Sequence, residues 1–157
     1  MEYEIRLQIR LREMDIPFET ENELRIKGTA KTPDILLSIP LGMRVRKKNN
    51  TVEWKTIYWI DSKALFGDVK THEQSVLPQA DKYVHRFGPG LILYWFGHAP
   101  LSILREVNDV VIAAWDLPRY FMLPTGDFIG RGTVQLSSNL MYPPTEEDID
   151  KMQVMNT

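Results

Sequence analysis

Two strand-forming runs lie close together in the first half of the chain. Pro33-Asp-Ile-Leu-Leu-Ser-Ile-Pro40 is an apolar stretch of strand length. Val52 to Asp61 is rich in Val, Trp, Thr, Ile and Tyr, the residues that suit a pleated, half-buried surface. A polar, basic loop joins the two runs, so they read as a hairpin. That pairing commits the chain to a sheet. It also has a chemical consequence, because the start of one hairpin strand lies beside the end of the other. Asp34 and Asp61 therefore share a spot on the sheet.

Other elements follow from periodicity. Residues 2–14 place Tyr3, Ile5, Leu7, Ile9, Leu11 and Met14 among Arg and Glu. The strict alternation fits a strand, whereas the spacing of Tyr3, Leu7, Leu11 and Met14 fits a helix face. The abundance of Glu, Arg, Leu and Gln favours the helix, stopped by Asp15 and Pro17. Pro17 to Lys27 reads as a short strand with a polar turn at Glu21–Asn22, closed by Gly28. His72 to Phe87 carries Val76, Ala80, Tyr83, Val84 and Phe87 at helical spacing, with Gly88 as its stop. Pro78 either kinks that helix or marks its true start near residue 77.

Leu91-Ile-Leu-Tyr-Trp-Phe96 has the texture of a buried central strand. Leu101 to Glu106 suits a helical turn or two, and Val110 to Trp115 a further buried strand. Beyond it, Pro118, Pro124, Gly126, Gly130, Gly132, Pro143 and Pro144 make the chain loop-rich, and Thr145-Glu-Glu-Asp caps a last short helix. The order is helix, three strands, helix, strand, then a mixed tail. It predicts an α/β fold, a mixed central sheet flanked by helices. A single domain over residues 1–157 is expected, with its core to about residue 118 and a loop-rich extension over 119–157.

Composition removes several classes. A chain of 157 residues suits one domain, and 43% hydrophobic with 25% charged residues excludes a wholly disordered one. No apolar run approaches the roughly 18–20 residues that span a bilayer, and the N-terminus, alternating charge and apolarity, does not resemble a secretory signal. With no cysteine, disulfide scaffolds and cysteine-rich zinc sites are out, and a reducing intracellular compartment is expected. The formal net charge is −2, which argues against a simple electrostatic binder of DNA. Its distribution is uneven: residues 1–100 hold 15 basic and 13 acidic groups, residues 101–157 hold 4 and 8. The densest basic cluster is Arg44, Arg46, Lys47 and Lys48, next to Asn49–Asn50. A solvated hairpin tip is the plainer account of it, and a phosphate-contacting loop the alternative.

Asp61 and Lys63 are two apart on a strand and project to one face. With Asp34 opposite, two carboxylates and the intervening Ser62 backbone carbonyl make a hard-oxygen site for a Mg²⁺-like ion. A lysine there can hold a scissile phosphate or help activate an attacking water. A solvated strand end is the plain reading of any Asp-x-Lys alone. Two features weigh against it: the charged pair ends the otherwise apolar run Ile57-Tyr-Trp-Ile60, and the hairpin supplies the partner carboxylate.

Pro33-Asp34 followed by Asp61-Ser62-Lys63 resembles the PD-(D/E)xK, restriction-endonuclease-like nucleases. The wider set Lys31-Thr-Pro-Asp34, Trp59-Ile-Asp-Ser-Lys-Ala64, Phe66-Gly-Asp68 and Arg86-Phe-Gly-Pro-Gly90 is similar to the TPD-motif family of that superfamily, which includes the codanin-interacting nuclease of animals. The resemblance covers roughly residues 3 to 98. It implies a restriction-endonuclease-like αβββαβ core, and Mg²⁺- or Mn²⁺-dependent hydrolysis of DNA, structured or branched forms included. It also implies a nuclear or cytoplasmic location and a codanin-type protein partner, and a nuclease-fold binding module for that partner is the alternative function. Animal members carry a further N-terminal region, whereas this chain starts almost at the core.

Carried over by position, Asp34 is the PD aspartate, Asp61 the second acid, where Glu is common in the family, and Lys63 the lysine. Gln79 and Tyr83 match a Gln-x-x-x-Tyr element of RecB-like members, and at i and i+4 they share a helix face. One packed Tyr and one exposed Gln would account for them equally well. Glu4 matches the first-helix glutamate that completes a metal shell in Holliday-junction-resolvase-like members. Glu2 and Glu13 compete with it, and any of the three can be an exposed helix residue.

Other residues carry less. His72, His85 and His98 lack metal-ligand spacing, and His85 reads as helix surface. Trp54, Trp59, Trp95 and Trp115 read as sheet core before base-stacking platforms. Gly126-Asp-Phe-Ile-Gly-Arg-Gly132 lacks the Lys-Ser/Thr of a phosphate loop. No Ser/His/Asp arrangement has supporting context. The acidic stretch Glu146-Glu147-Asp148 with Asp150 suits a solvated helix end or a partner-facing surface.

Overall fold

A computed structural model of the chain describes residues 2–28, 31–46, 51–100, 104 and 110–130. Helix α1 spans Glu2–Glu13. Burial settles the ambiguity of this segment. A strand would put Ile5, Leu7, Ile9 and Leu11 on one face, but Leu7 and Leu11 are fully buried while Ile5 and Ile9 are 50% and 47% exposed. The helix ends where Asp15 takes a left-handed φ of 58° and the Ile16 N–H reaches back to the Leu11 carbonyl at 3.0 Å.

The next segment corrects the sequence reading. Strand β1 is only Phe18–Thr20, and the polar turn expected at Glu21–Asn22 is the first turn of helix α2, Glu21–Ile26. Thr20 caps it, its hydroxyl accepting the Glu23 N–H at 3.3 Å. Thr20-Glu-Asn-Glu23 is the Thr-x-x-Glu signature of a helix start, so the signal was present in the residues.

Strands β2, Ile35–Arg46, and β3, Val52–Lys63, form the predicted hairpin, each running further than expected at its C-terminal end. Their register passes from Ile35↔Ile60 and Leu36↔Trp59 to Leu41↔Ile57 across an irregularity that contains Pro40. Arg44 and Arg46 are thus strand residues rather than loop residues, while Lys47 and Lys48 lie outside the described residues.

Helical structure resumes earlier than predicted. Asp68 caps α3, Val69–Thr71, by accepting the Thr71 N–H and hydroxyl, both at 2.8 Å. A π-helical stretch, His72–Val76, leads into α4, Leu77–Phe87. Pro78 therefore marks the start of α4 at Leu77, as one of its two readings expects, in the first turn after the wider winding tightens. Strands β4, Gly90–Tyr94, and β5, Val111–Ala114, follow, with β4 buried throughout as a central strand should be. Two short strands, β6 (Tyr120–Met122) and β7 (Phe128–Gly130), occur where loop was expected. The segments 101–106 and 145–150 are almost wholly outside the described residues.

The sheet order is β5-β4-β3-β2-β6-β7, with β1 paired to β2. Pairs β3–β4 and β4–β5 are parallel and the others antiparallel, so the sheet is mixed. Its two faces carry separate cores. Leu7 and Leu11 of α1 pack with Ile60, Leu91 and Leu93 on one face. Ala80 and Tyr83 of α4 pack with Trp59, Ile92 and Tyr94 on the other. Gly90 makes the second core possible: a Cβ there would lie 2.0 Å from the Trp59 ring, whose indole N–H donates to the Gly88 carbonyl at 2.7 Å.

Candidate active site

Where β2 begins and β3 ends, Asp34 and Asp61 face each other across the hairpin. The Asp34 N–H donates to Asp61 Oδ1 at 3.1 Å, and the Ser62 N–H donates to Asp34 Oδ2 at 2.7 Å. These reciprocal bonds hold two carboxyl groups together, although like charges so close oppose one another. Asp34 responds with a pKa pushed up to about 8, first by burial, then by the Asp61 charge, while the Ser62 bond opposes the shift. Asp61 is only 2% exposed.

Lys63 projects from β3 on the same face as Asp61. Its Nζ lies 2.9 Å from Asp61 Oδ2 and donates to Gln79 Oε1 of α4 at 2.6 Å. The approach to Asp61 is an ion-pair distance without hydrogen-bond alignment, so the buried Oδ2 is countered by charge but accepts no hydrogen bond. Tyr83, one turn after Gln79, packs edge-on against Trp59 with ring centroids 5.2 Å apart. Burial raises its phenol pKa, and the Asp61 and Asp34 charges raise it further. Gln79, exposed, thus reaches Lys63, while Tyr83 is packed against Trp59 within reach of the pair's charge.

Glu4 of α1 is the glutamate whose charge reaches Asp34, the weakest of the influences upon it. Glu2 instead pairs with Arg6 at 2.9 Å. Ser62 donates its N–H toward Asp34, and within a strand a residue's N–H and carbonyl point to the same side, so the Ser62 carbonyl lies along that edge too. Asp34, Asp61 and this carbonyl are the hard-oxygen donors at hand. Among the described residues no three His, Cys, Asp or Glu side chains are grouped closely enough to hold a metal by themselves.

Arg44 stands ten residues along β2 from Asp34, roughly 30 Å away at the strand's usual rise. The described part of the basic cluster, Arg44 and Arg46, is therefore at the opposite end of the hairpin from the carboxyl pair. Closer cations exist that the sequence reading did not single out. Lys31, three residues before Asp34, has a left-handed φ of 52° and reaches Lys82, the neighbour of Tyr83 on α4. Hydrogen bonding to Lys31 and repulsion from it lower the Lys82 pKa.

Other candidates take structural places. His72 is buried, with Nδ1 2.7 Å from the Tyr94 hydroxyl, and His85 is an exposed helix residue as expected. Trp59 is core and Trp95 packs partly buried against the α1-side core, but Trp115 is 66% exposed, against the expectation.

The family described as "Protein of unknown function TPD sequence-motif" matches residues 1–114. The chain belongs to the TPD family. Curated relatives carry the name CDAN1-interacting nuclease 1. The protein of Danio rerio is 43% identical over 107 residues, which make up 68% of this chain and 33% of the relative. Those of Xenopus laevis and Homo sapiens are 41% and 42% identical over 96 residues, 61% of this chain and 29% and 31% of theirs. The chain thus spans about a third of the length of these TPD relatives. No solved structure matches it.

Proposed function

We propose that this TPD protein is a PD-(D/E)xK nuclease with a restriction-endonuclease-like core, hydrolysing DNA phosphodiester bonds with Mg²⁺ or Mn²⁺. One observation carries the reading: Asp34 and Asp61 are bonded to each other's backbone across the hairpin, with Lys63 at 2.9 Å and Gln79 behind it. The names of the relatives, which call them nucleases, point the same way.

The residues suit a hard divalent cation. Two crowded carboxyl groups, one raised toward neutrality and one with a buried oxygen lacking a hydrogen bond, are relieved by a positive charge. Mg²⁺ needs only one or two carboxylates and keeps several waters, so Asp34, Asp61 and the Ser62 carbonyl suffice, with Glu4 a further ligand. Such an ion supplies Lewis-acid stabilisation of the phosphoryl oxygens.

The chain's own groups do the rest. Lys63 stabilises the charge that develops on the phosphate, and Gln79 orients the lysine. Tyr83, kept as a neutral phenol by burial, is a donor beside the pair. Lys31 and Lys82, near enough to repel each other, are matched by the negative charge of a nucleic-acid strand. Arg44, Arg46, Lys47 and Lys48 would contact backbone at a distance from the cut.

The test is Mg²⁺- and Mn²⁺-dependent cleavage of blunt, overhanging, flapped and branched DNA. Asp34→Ala and Lys63→Ala are each expected to lower the rate by at least about 100-fold. Equal cleavage by both variants and the parent chain would overturn the assignment.

The relatives' names also favour a second reading, a nuclease-fold module that binds a codanin-type partner. Metal titration separates the two. A melting temperature that rises with Mg²⁺ or Mn²⁺, and fails to rise in Asp34→Asn, supports the catalytic site. No response in the parent chain favours the module.

A further inference from the structure

Aromatic rings from α1 and from the end of β4 gather at the rim of the α1-side core, across the sheet from the face that carries Asp61 and Lys63. The Tyr3 ring lies 5.4 Å from Trp95 and 5.3 Å from Phe96, the second contact edge-on. Phe96 is 54% exposed. The Arg6 guanidinium sits 5.2 Å from the Tyr3 centroid and that of Arg10 sits 5.4 Å from Trp95. Arg6 also pairs with Glu2, and Arg10 with Asp116, so these cations do more to hold the rings than to attract a distant phosphate.

The group is coupled to the site by two short hydrogen bonds. The Trp95 indole N–H donates to Ser62 Oγ at 2.6 Å, and the Ser62 N–H donates to Asp34 Oδ2 at 2.7 Å. Phe96 is open to water and Tyr3 and Trp95 are partly so, and such rings offer what a nucleobase needs. Every base has a π-face, so stacking accepts any sequence. A duplex keeps those faces occupied internally, so only unpaired bases can use the rings.

We propose that Tyr3, Trp95 and Phe96 form a stacking platform for unpaired bases of a strand whose backbone runs to Asp34 and Asp61. This rests on the nuclease reading and deepens it: the substrate class becomes single-stranded or overhang-bearing DNA rather than blunt duplex. The platform positions substrate and takes no part in the chemistry.

The full chain is titrated, by fluorescence anisotropy, into labelled oligothymidylate and a blunt duplex of equal length, and cleavage of an overhanging DNA is followed in parallel. Phe96→Ala and Tyr3→Ala are expected to weaken single-strand binding about tenfold or more, with Phe96→Trp retaining it and duplex binding changing by less than about twofold. Thermal melting of each variant checks that the fold survives. Single-strand affinity unchanged in both folded variants, or lost equally for duplex, overturns the platform. Parent cleavage that Phe96→Ala leaves unaltered on the overhang also overturns it, while leaving the nuclease reading standing. Ring-dependent strand binding without any cleavage supports the platform and overturns the nuclease reading instead.

Discussion

Trp59 and Trp95 sit on neighbouring parallel segments of the sheet and face opposite ways. Trp59 is fully buried between Gly90, Tyr83 and the rest of the α4-side core. Trp95 is partly buried, tilted against Tyr3 under Arg10, and spends its indole N–H on Ser62. Strand alternation produces the contrast: Trp59, Asp61 and Lys63 point to the α4 face, whereas Ile60 and Ser62 point to the α1 face. The comparison teaches a division of labour. The α4 face builds a packed support and ends it in a carboxyl pair and a lysine. The α1 face lets its core run out earlier, leaving rings at the surface.

The largest expected effect tests the packed side. Trp59→Ala should cost about 3–5 kcal/mol in chemical denaturation. Trp95→Ala should cost clearly less, because part of its ring already faces solvent. Equal losses would break the comparison. Next comes the depth of the α1-side core, where Leu7→Ala should cost about 2–5 kcal/mol and Ile5→Ala within about 0.5 kcal/mol of nothing. A costly Ile5→Ala would mean that the outer face of α1 is covered.

The remaining prediction is a pH dependence from the carboxyl pair. Asp34 holds its proton up to about pH 8 in the folded chain, against an ordinary value of 3.8. Between those limits the folded state binds more protons than the unfolded one, so stability in the absence of divalent metal falls as pH rises through that window. Asn cannot ionise. The melting temperature of Asp34→Asn should therefore exceed that of the parent by more at pH 8 than at pH 4. Parallel curves would show that burial and the Asp61 charge do not raise Asp34.

Much of the site could be read from the residues. The hairpin and the acids at its two strand ends follow from strand-forming composition. Lys63 falls beside Asp61 because side chains alternate with a period of two. Gln79 and Tyr83 share a face because a helix repeats every three to four. Burial also decided between two readings of α1 that periodicity alone left in competition. The misses have equally local causes. Thr20-Glu-Asn-Glu23 carried a helix-start signature that lost to a strand reading of its neighbours. Strands β6 and β7 are only three residues each, too short for alternation to register among the surrounding prolines and glycines.

The sequence by itself determined which groups bear the chemistry, the TPD resemblance, and the local pairing that brings Asp34 to Asp61, since these depend on residue type and short spacing. Tertiary structure alone decided what surrounds them. It set the burial that pushes Asp34 upward, turned Lys63 to Gln79 and brought Lys31 to Lys82. It also split the tryptophans between core and surface. Each of these depends on which elements pack together across long stretches of chain, and desolvation and charge–charge energies exist only once that packing is made.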